Sequence, residues 1–254
     1  MSQVASPEIS WLVRQPIAHR GFHSAEAGRR ENTISAARAA IERGFAIECD
    51  VQLSADGEAM VFHDERLERL TGRAELVGEL SAAELSRLAV GRTLDGIPTL
   101  RSFIDIIAGQ VPLICEIKSA FVGDTRLTDR VAQLASSYAG PLAIKSFDPA
   151  ILSHLRKVHE LSLPLGIVAE AHYDDPEWAF LKADQKRDLA ALTHFAETRP
   201  DFLSFAVNDL PHAGPSLFRM GLRCPVVTWT VRTPDQRDRA GIWADQIVFE
   251  GFVP

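Results

Sequence analysis

The chain has 254 residues, with 34 acidic against 27 basic side chains for a formal charge of −7, and 46% hydrophobic against 24% charged residues. That length allows one large domain or two small ones and buries about 70 to 75% of the unfolded surface, which excludes disorder as the main state. An acidic balance without a basic run argues against nucleic acid or an anionic membrane as principal partner, so any attraction for an anionic substrate has to be local.

Cys49, Cys115 and Cys224 are odd in number and far apart, fitting neither a disulfide framework nor the paired spacing of a zinc site. The first twenty residues hold no basic stretch followed by an apolar one, and no apolar run approaches the ~20 residues of a membrane span. The reading is a soluble, reduced, cytoplasmic protein without stable membrane insertion; the oligomeric state is not legible.

Taken in chain order, short apolar runs alternate with helical patterns, as expected for β-α units around a parallel sheet. Strands are predicted at 16–21, 45–53, 112–119, 141–147, 163–170, 201–207, 225–231 and 244–251. Helical patterns cover 33–43, ended by Gly44, and then 100–108, 124–138, 149–160, 176–198 and 212–221. Eight such units in this length predict a TIM (β/α)8 barrel in the α/β class, with a doubly wound open sheet as competitor.

Two segments break the rhythm. Residues 58–97 hold the strand-like AMVFHD, a polar stretch and the amphipathic ELSAAELSRLAV, too much for the usual loop of about 2 to 6 residues. A small subdomain, 65–97, is therefore expected near the barrel mouth within a single domain spanning 1–254. At the other end, Pro254 leaves no room for a helix after the last strand, so the N-terminal residues are expected to cover that side.

Residues two apart on a strand share a face, so Glu48 and Asp50 in IECD project together, as do Glu116 and Lys118 in CEIK. Both pairs fall late in their strands, at the end where barrel loops converge on one opening. Three carboxylates meeting there raise one another's pKa unless counter-charged. One divalent cation meets that need, and an all-oxygen donor set selects a hard ion, Mg2+ or Ca2+. E-x-D alone would read as a charged edge strand; CEIK beside it makes a site.

His19 ends the first strand in AHRG and His63 follows the second in VFHD. With an ordinary pKa of about 6.5, each can take either form near neutrality and serve as general acid or base. Arg20 offers a planar fork suited to phosphate, and Gly21 removes a Cβ that would obstruct backbone approach. Lys118 adds a further positive charge, or else pairs with Glu116 or Asp50.

The strings AHRG, RENT, IECDVQLSADGEAMVFHD, IPTL, CEIKS, KSFD and TWTV, in this order, resemble the glycerophosphodiester phosphodiesterase family over residues 16–250. The resemblance implies a metal-dependent barrel that hydrolyses a small-molecule glycerophosphodiester to glycerol 3-phosphate and an alcohol, with an insertion after the second strand. It also implies roles: Glu48, Asp50 and Glu116 as metal ligands, His19 and His63 as the acid/base pair, and Arg20 and Lys118 as phosphate contacts. Glu31 and Asn32 become further metal or site-shaping residues, and Trp229 lines the glycerol pocket, unless it merely fills core.

There are departures. Arg30 stands where the family has proline before E-N-T, and the usual closing T-D-x-P is replaced by Phe249, Glu250, Gly251 and Phe252. Strand five ends in the polar group Glu170, Ala171, His172, Tyr173, which either shapes the leaving-group pocket or faces solvent. A lysophospholipase D or phospholipase C-like activity is the alternative for the same site and would show an apolar patch beside the mouth. A noncatalytic phosphodiester-binding barrel would have lost a carboxylate or histidine, and all are present.

Overall fold

The computed structural model describes residues 9–159 and 161–254. Its strands are β1 (Ile17–Ala18), β2 (Ala46–Leu53), β3 (Ala59–Val61), β4 (Leu113–Ile117), β5 (Leu142–Ser146), β6 (Leu165–Ala169), β7 (Phe202–Ala206), β8 (Val226–Val231) and β9 (Gln246–Phe249). All but β3 are parallel, and β1 pairs with both β2 and β9, which closes the ring. The chain is a (β/α)8 barrel; the β1–β9 pairing excludes the open sheet. β3 folds back antiparallel on β2.

Alternate residues of each strand face inward. Ile17, Ala46, Ile114, Ala143, Phe202, Val227 and Val248 pack together as an apolar floor. Leu12, from a short 3-10 helix (Ser10–Val13), inserts into that floor, so the segment just before β1 covers it; residues 1–8 lie outside the described residues. Gly166 of β6 leaves room there for the Phe202 ring, which a Cβ would meet at 2.2 Å. The outward alternates, such as Ile47, Cys49, Leu113 and Cys115, pack in the main core beneath the helices.

The helices are α1 (Ile34–Arg43), α2 (Glu68–Thr71), α3 (Ala82–Leu85), α4 (Leu100–Ile107), α5 (Arg126–Ser136), α6 (Pro149–Val158), α7 (Ala183–Ala190), α8 (Phe195–Thr198), α9 (Ala213–Ser216) and α10 (Pro234–Trp243). The Thr33 hydroxyl accepts from Ala36 N at the start of α1 and Asp148 caps α6 ahead of Pro149, each satisfying an amide the helix itself cannot. The sequence expectation for 149–160 ran to Glu160, which lies outside the described residues.

Three expectations change. The single helix over 176–198 is a 3-10 turn (Pro176–Trp178) followed by α7 and α8. The pattern at 212–221 becomes α9 and a π-helical turn, Leu217–Leu222. ELSAAELSRLAV is helical only over α3, because the chain returns against it: Ala89 bridges Gly96, and Leu85 and Val90 enter one apolar cluster with Phe62, Leu67 and Val77. No sequence pattern indicated α10, where only Ala240 is buried.

Candidate active site

Two residues beyond the floor, the same inward face turns polar. Ala46 is followed by Glu48 and then Asp50, Ile114 by Glu116, Ala143 by Lys145, Ile17 by His19 and Val248 by Glu250. Parallel register sets Asp50 opposite Glu116 and Glu116 opposite Lys145. Glu48, Asp50 and Glu116 are 1%, 1% and 4% exposed, and one oxygen from each lies within 4.8 Å of the others.

Protein cations already surround these oxygens. Lys145 Nζ lies 3.0 Å from Glu48 Oε1 and 2.8 Å from Glu116 Oε2. Lys118 Nζ lies 2.8 Å from Asp50 Oδ1 and also pairs with Glu116 Oε1. Burial would push the Asp50 and Glu116 carboxyls up, yet Lys118 first among the neighbouring charges holds both well below the usual carboxylate range. Reciprocally, both ammonium groups are raised despite their burial.

The need for counter-charge, which from sequence alone called for a metal, is thus met in part by two lysines and Arg20. The fit to a hard cation rests instead on the donors: an all-oxygen set converging in a buried site. A second group that brings ligand atoms together, Asp129, His154 and His159, sits on α5 and at the end of α6.

The chain turns sharply where β1 stops after two residues. Arg20, Gly21 and Asn32 all have left-handed backbone, with φ of 55°, 78° and 56°. Arg20 N donates to Glu48 Oε2 (3.1 Å), its Nη1 donates to Glu31 Oε1 (2.6 Å), and its Nε lies 3.3 Å from Asp50 Oδ2. Asn32 Nδ2 donates to Asp50 Oδ2 (3.0 Å) while its Oδ1 accepts from Asp50 N (3.3 Å). Against the upward push of burial, Arg69 and Arg20 hold Glu31 down at about 2. The need for glycine at position 21 is steric on the helix side: a Cβ would stand 2.9 Å from Ala36 Cβ in α1.

Each histidine is held by a carboxylate through Nδ1. His19 Nδ1 is 2.6 Å from Glu250 Oε2, whose other oxygen accepts from Arg232 Nε at 2.5 Å. His63 Nδ1 is 2.7 Å from Asp64 Oδ1, and Arg69 bridges Asp64 to Glu31. Such a partner sets the tautomer and leaves Nε2 as the reactive nitrogen.

His19, Arg20, Asp50, His63, Glu116, Lys118 and Trp229 line one cavity of about 930 Å3 at the C-terminal end of the strands; Glu31 and Asn32 support Arg20 and Asp50 from behind it. Trp229 donates from Nε1 to Ser204 O (3.1 Å) and stands edge-on to Phe147 at 5.6 Å. Sequence reasoning named Glu250 without a role and missed Lys145, although it lies inside the KSFD string, as well as the partners Asp64 and Arg69.

A parallel eight-stranded barrel with buried carboxylates and two histidines at the C-terminal ends of its strands has its charged groups where barrel enzymes carry their active sites. The fold is shared with an Oleispira antarctica phosphodiesterase solved with the product sn-glycerol-3-phosphate: 22% identity, 94% of this chain and 93% of that one covered, TM-score 0.74. It is shared as well with a glycerophosphodiester phosphodiesterase from Thermotoga maritima: 23% identity, 93% and 94% covered, TM-score 0.71. In sequence, the glycerophosphodiester phosphodiesterase of Caldanaerobacter subterraneus subsp. tengcongensis is 30% identical over 170 residues, which cover 63% of this chain and 68% of that protein.

The profile of the glycerophosphoryl diester phosphodiesterase family matches residues 19–245, and the chain belongs to that family. It is an enzyme, a phosphoric diester hydrolase.

Proposed function

We propose that the chain hydrolyses glycerophosphodiesters to glycerol 3-phosphate and an alcohol, with His19 and His63 as acid and base and one divalent cation, Mg2+ or Ca2+, held by Glu48, Asp50 and Glu116. One observation carries this reading: two imidazoles, each held by a carboxylate through Nδ1, line the same cavity as buried acidic oxygens. When bound, the cation supplies Lewis-acid charge that lowers the pKa of an oxygen nucleophile.

The side chains perform the rest. One imidazole takes the proton of a glycerol hydroxyl as that oxygen attacks phosphorus, and the other protonates the departing alcohol. The cyclic glycerophosphate is then opened by water with the proton roles reversed. Arg20 and Lys118 face the phosphoryl oxygens, where charge builds, and fixed charges of this kind usually contribute most to rate. Trp229 walls the glycerol side. Residues 65–97, whose apolar side chains cluster with Met60 and Phe62, act as a small subdomain beside this mouth.

A lysophospholipid substrate is the second reading, favoured by Val122 and Phe180, which are 77% and 55% exposed on the loops after β4 and β6. No helix among the described residues is long and apolar enough to cross a membrane. The test is release of glycerol 3-phosphate from glycerophosphoglycerol, glycerophosphocholine and a lysolipid, with chelator and after return of Mg2+ or Ca2+. Cation-dependent release from the soluble diesters is expected; full activity after chelation would refute the ligand assignment.

A further inference from the structure

The side of the cavity formed by β6, β7 and the loops that follow them differs in kind from the catalytic side. Glu170 follows β6 on its inward face, and Asp174, Asp175, Glu177 and Asp209 line the same wall. None of these five carboxylates is in an ion pair among the described residues, whereas Glu48, Asp50, Asp64, Glu116 and Glu250 all are.

Glu170 is only 8% exposed, and its Oε1 is buried without a hydrogen-bond partner. Burial first, and then Glu177, Asp209 and Asp175, push this carboxyl up to about 7 against the nearby Trp178 indole. An unpartnered carboxylate oxygen buried at a cavity wall costs free energy unless something from the cavity compensates it.

Aromatic rings stand beside these acids. Trp178, 7% exposed, packs 4.8 Å from Phe147, 5.2 Å from Tyr173 and 6.4 Å from Phe121, and Phe180 lies 5.9 Å from Phe121. Apart from Tyr173, these rings line the cavity. Carboxylates compensate a positive charge and ring faces attract one, and this combination recognises alkylammonium groups.

Resting on the function proposed above, we infer that the Glu170 wall receives the departing alcohol and selects alcohols that carry a positively charged nitrogen. A phosphodiester lying across the cavity would put its anionic phosphate among Arg20, Lys118 and the histidines and its cationic end against the unpaired acids. Phosphate attraction and head-group attraction are then carried by separate residues.

The test compares kcat/KM for glycerophosphocholine and glycerophosphoethanolamine, whose alcohols are cationic, with that for glycerophosphoglycerol, whose alcohol is uncharged, in the full chain with its divalent cation. The wild type should prefer the two diesters of cationic alcohols by about tenfold, within the range of such contacts. Glu170→Gln should cut that preference by about threefold or more, mainly through KM, as should Asp174→Asn with Glu177→Gln on the exposed loop, where folding is not at stake. A purely structural role for Glu170 would slow all three substrates equally. Equal use of diesters of cationic and uncharged alcohols by the wild type, or an unchanged preference in both variants, overturns the inference while leaving the hydrolase reading intact. Failure to cleave any of the three overturns that reading itself, and the inference with it.

Discussion

The floor of the barrel and its mouth are built on the same strands, two residues apart, and are chemical opposites. Ala46, Ile114, Ala143 and Val248 close the bottom with apolar side chains, while Glu48, Glu116, Lys145 and Glu250 on the same faces crowd the top with charge. Burying methyl groups stabilises a fold; burying ion pairs contributes little or costs free energy. The floor therefore carries stability and the mouth chemistry, and each can be broken without the other.

The largest effect is expected at the mouth. His19→Ala or His63→Ala should lower kcat by about a hundredfold to ten-thousandfold, the usual worth of a positioned acid or base. Thermal unfolding should move little. Steady-state kinetics beside a melting curve checks this, and wild-type turnover in either variant removes that histidine from the mechanism.

The floor should answer the other way. Ile114→Ala should cost about 2 to 5 kcal/mol by cavity formation. In a chain of this size each kcal/mol is worth about 2 to 4 °C in melting temperature. Its kcat/KM at a temperature where it is folded should match wild type. Gly21→Ala lies between the two regions, since it forces a Cβ against Ala36 in a left-handed residue; a loss of about 1 to 3 kcal/mol is expected, with some activity lost as Arg20 shifts.

The smallest effects concern pH. Asp50, Glu116 and Glu250 are held below the ordinary carboxylate range, so their contribution is present above an unfolded pKa of about 4 and is lost as pH falls below it. Glu170 has the opposite sign. Raised to about 7, it favours the fold below its unfolded pKa, and that contribution is lost as pH rises towards 7. Urea midpoints across this range should show Glu170→Gln gaining on wild type as pH rises; parallel curves would remove the shift.

Much of this contrast was legible in the sequence. Strand runs such as PLICEIKS carry floor and mouth residues in one period-2 pattern, and the carboxylates and histidines stand out because charge at the end of an apolar run demands explanation. Contacts made by closure were not legible. Glu250 reaches His19 only because β9 pairs with β1, and Lys145 reaches Glu48 only across β4. Nor was α10, whose PDQRDRAGIW lacks an apolar stripe and is betrayed only by the Thr233–Gln236 cap.

Calorimetric titration of Mg2+ and Ca2+ into the metal-stripped chain, repeated with Glu116→Gln, tests whether the three buried carboxylates hold a divalent ion. One ion per chain is expected at the mouth, bound more than about tenfold more weakly in the variant, since even outer-shell losses cost that much. No binding by the wild type, or equal binding by both proteins, would contradict it.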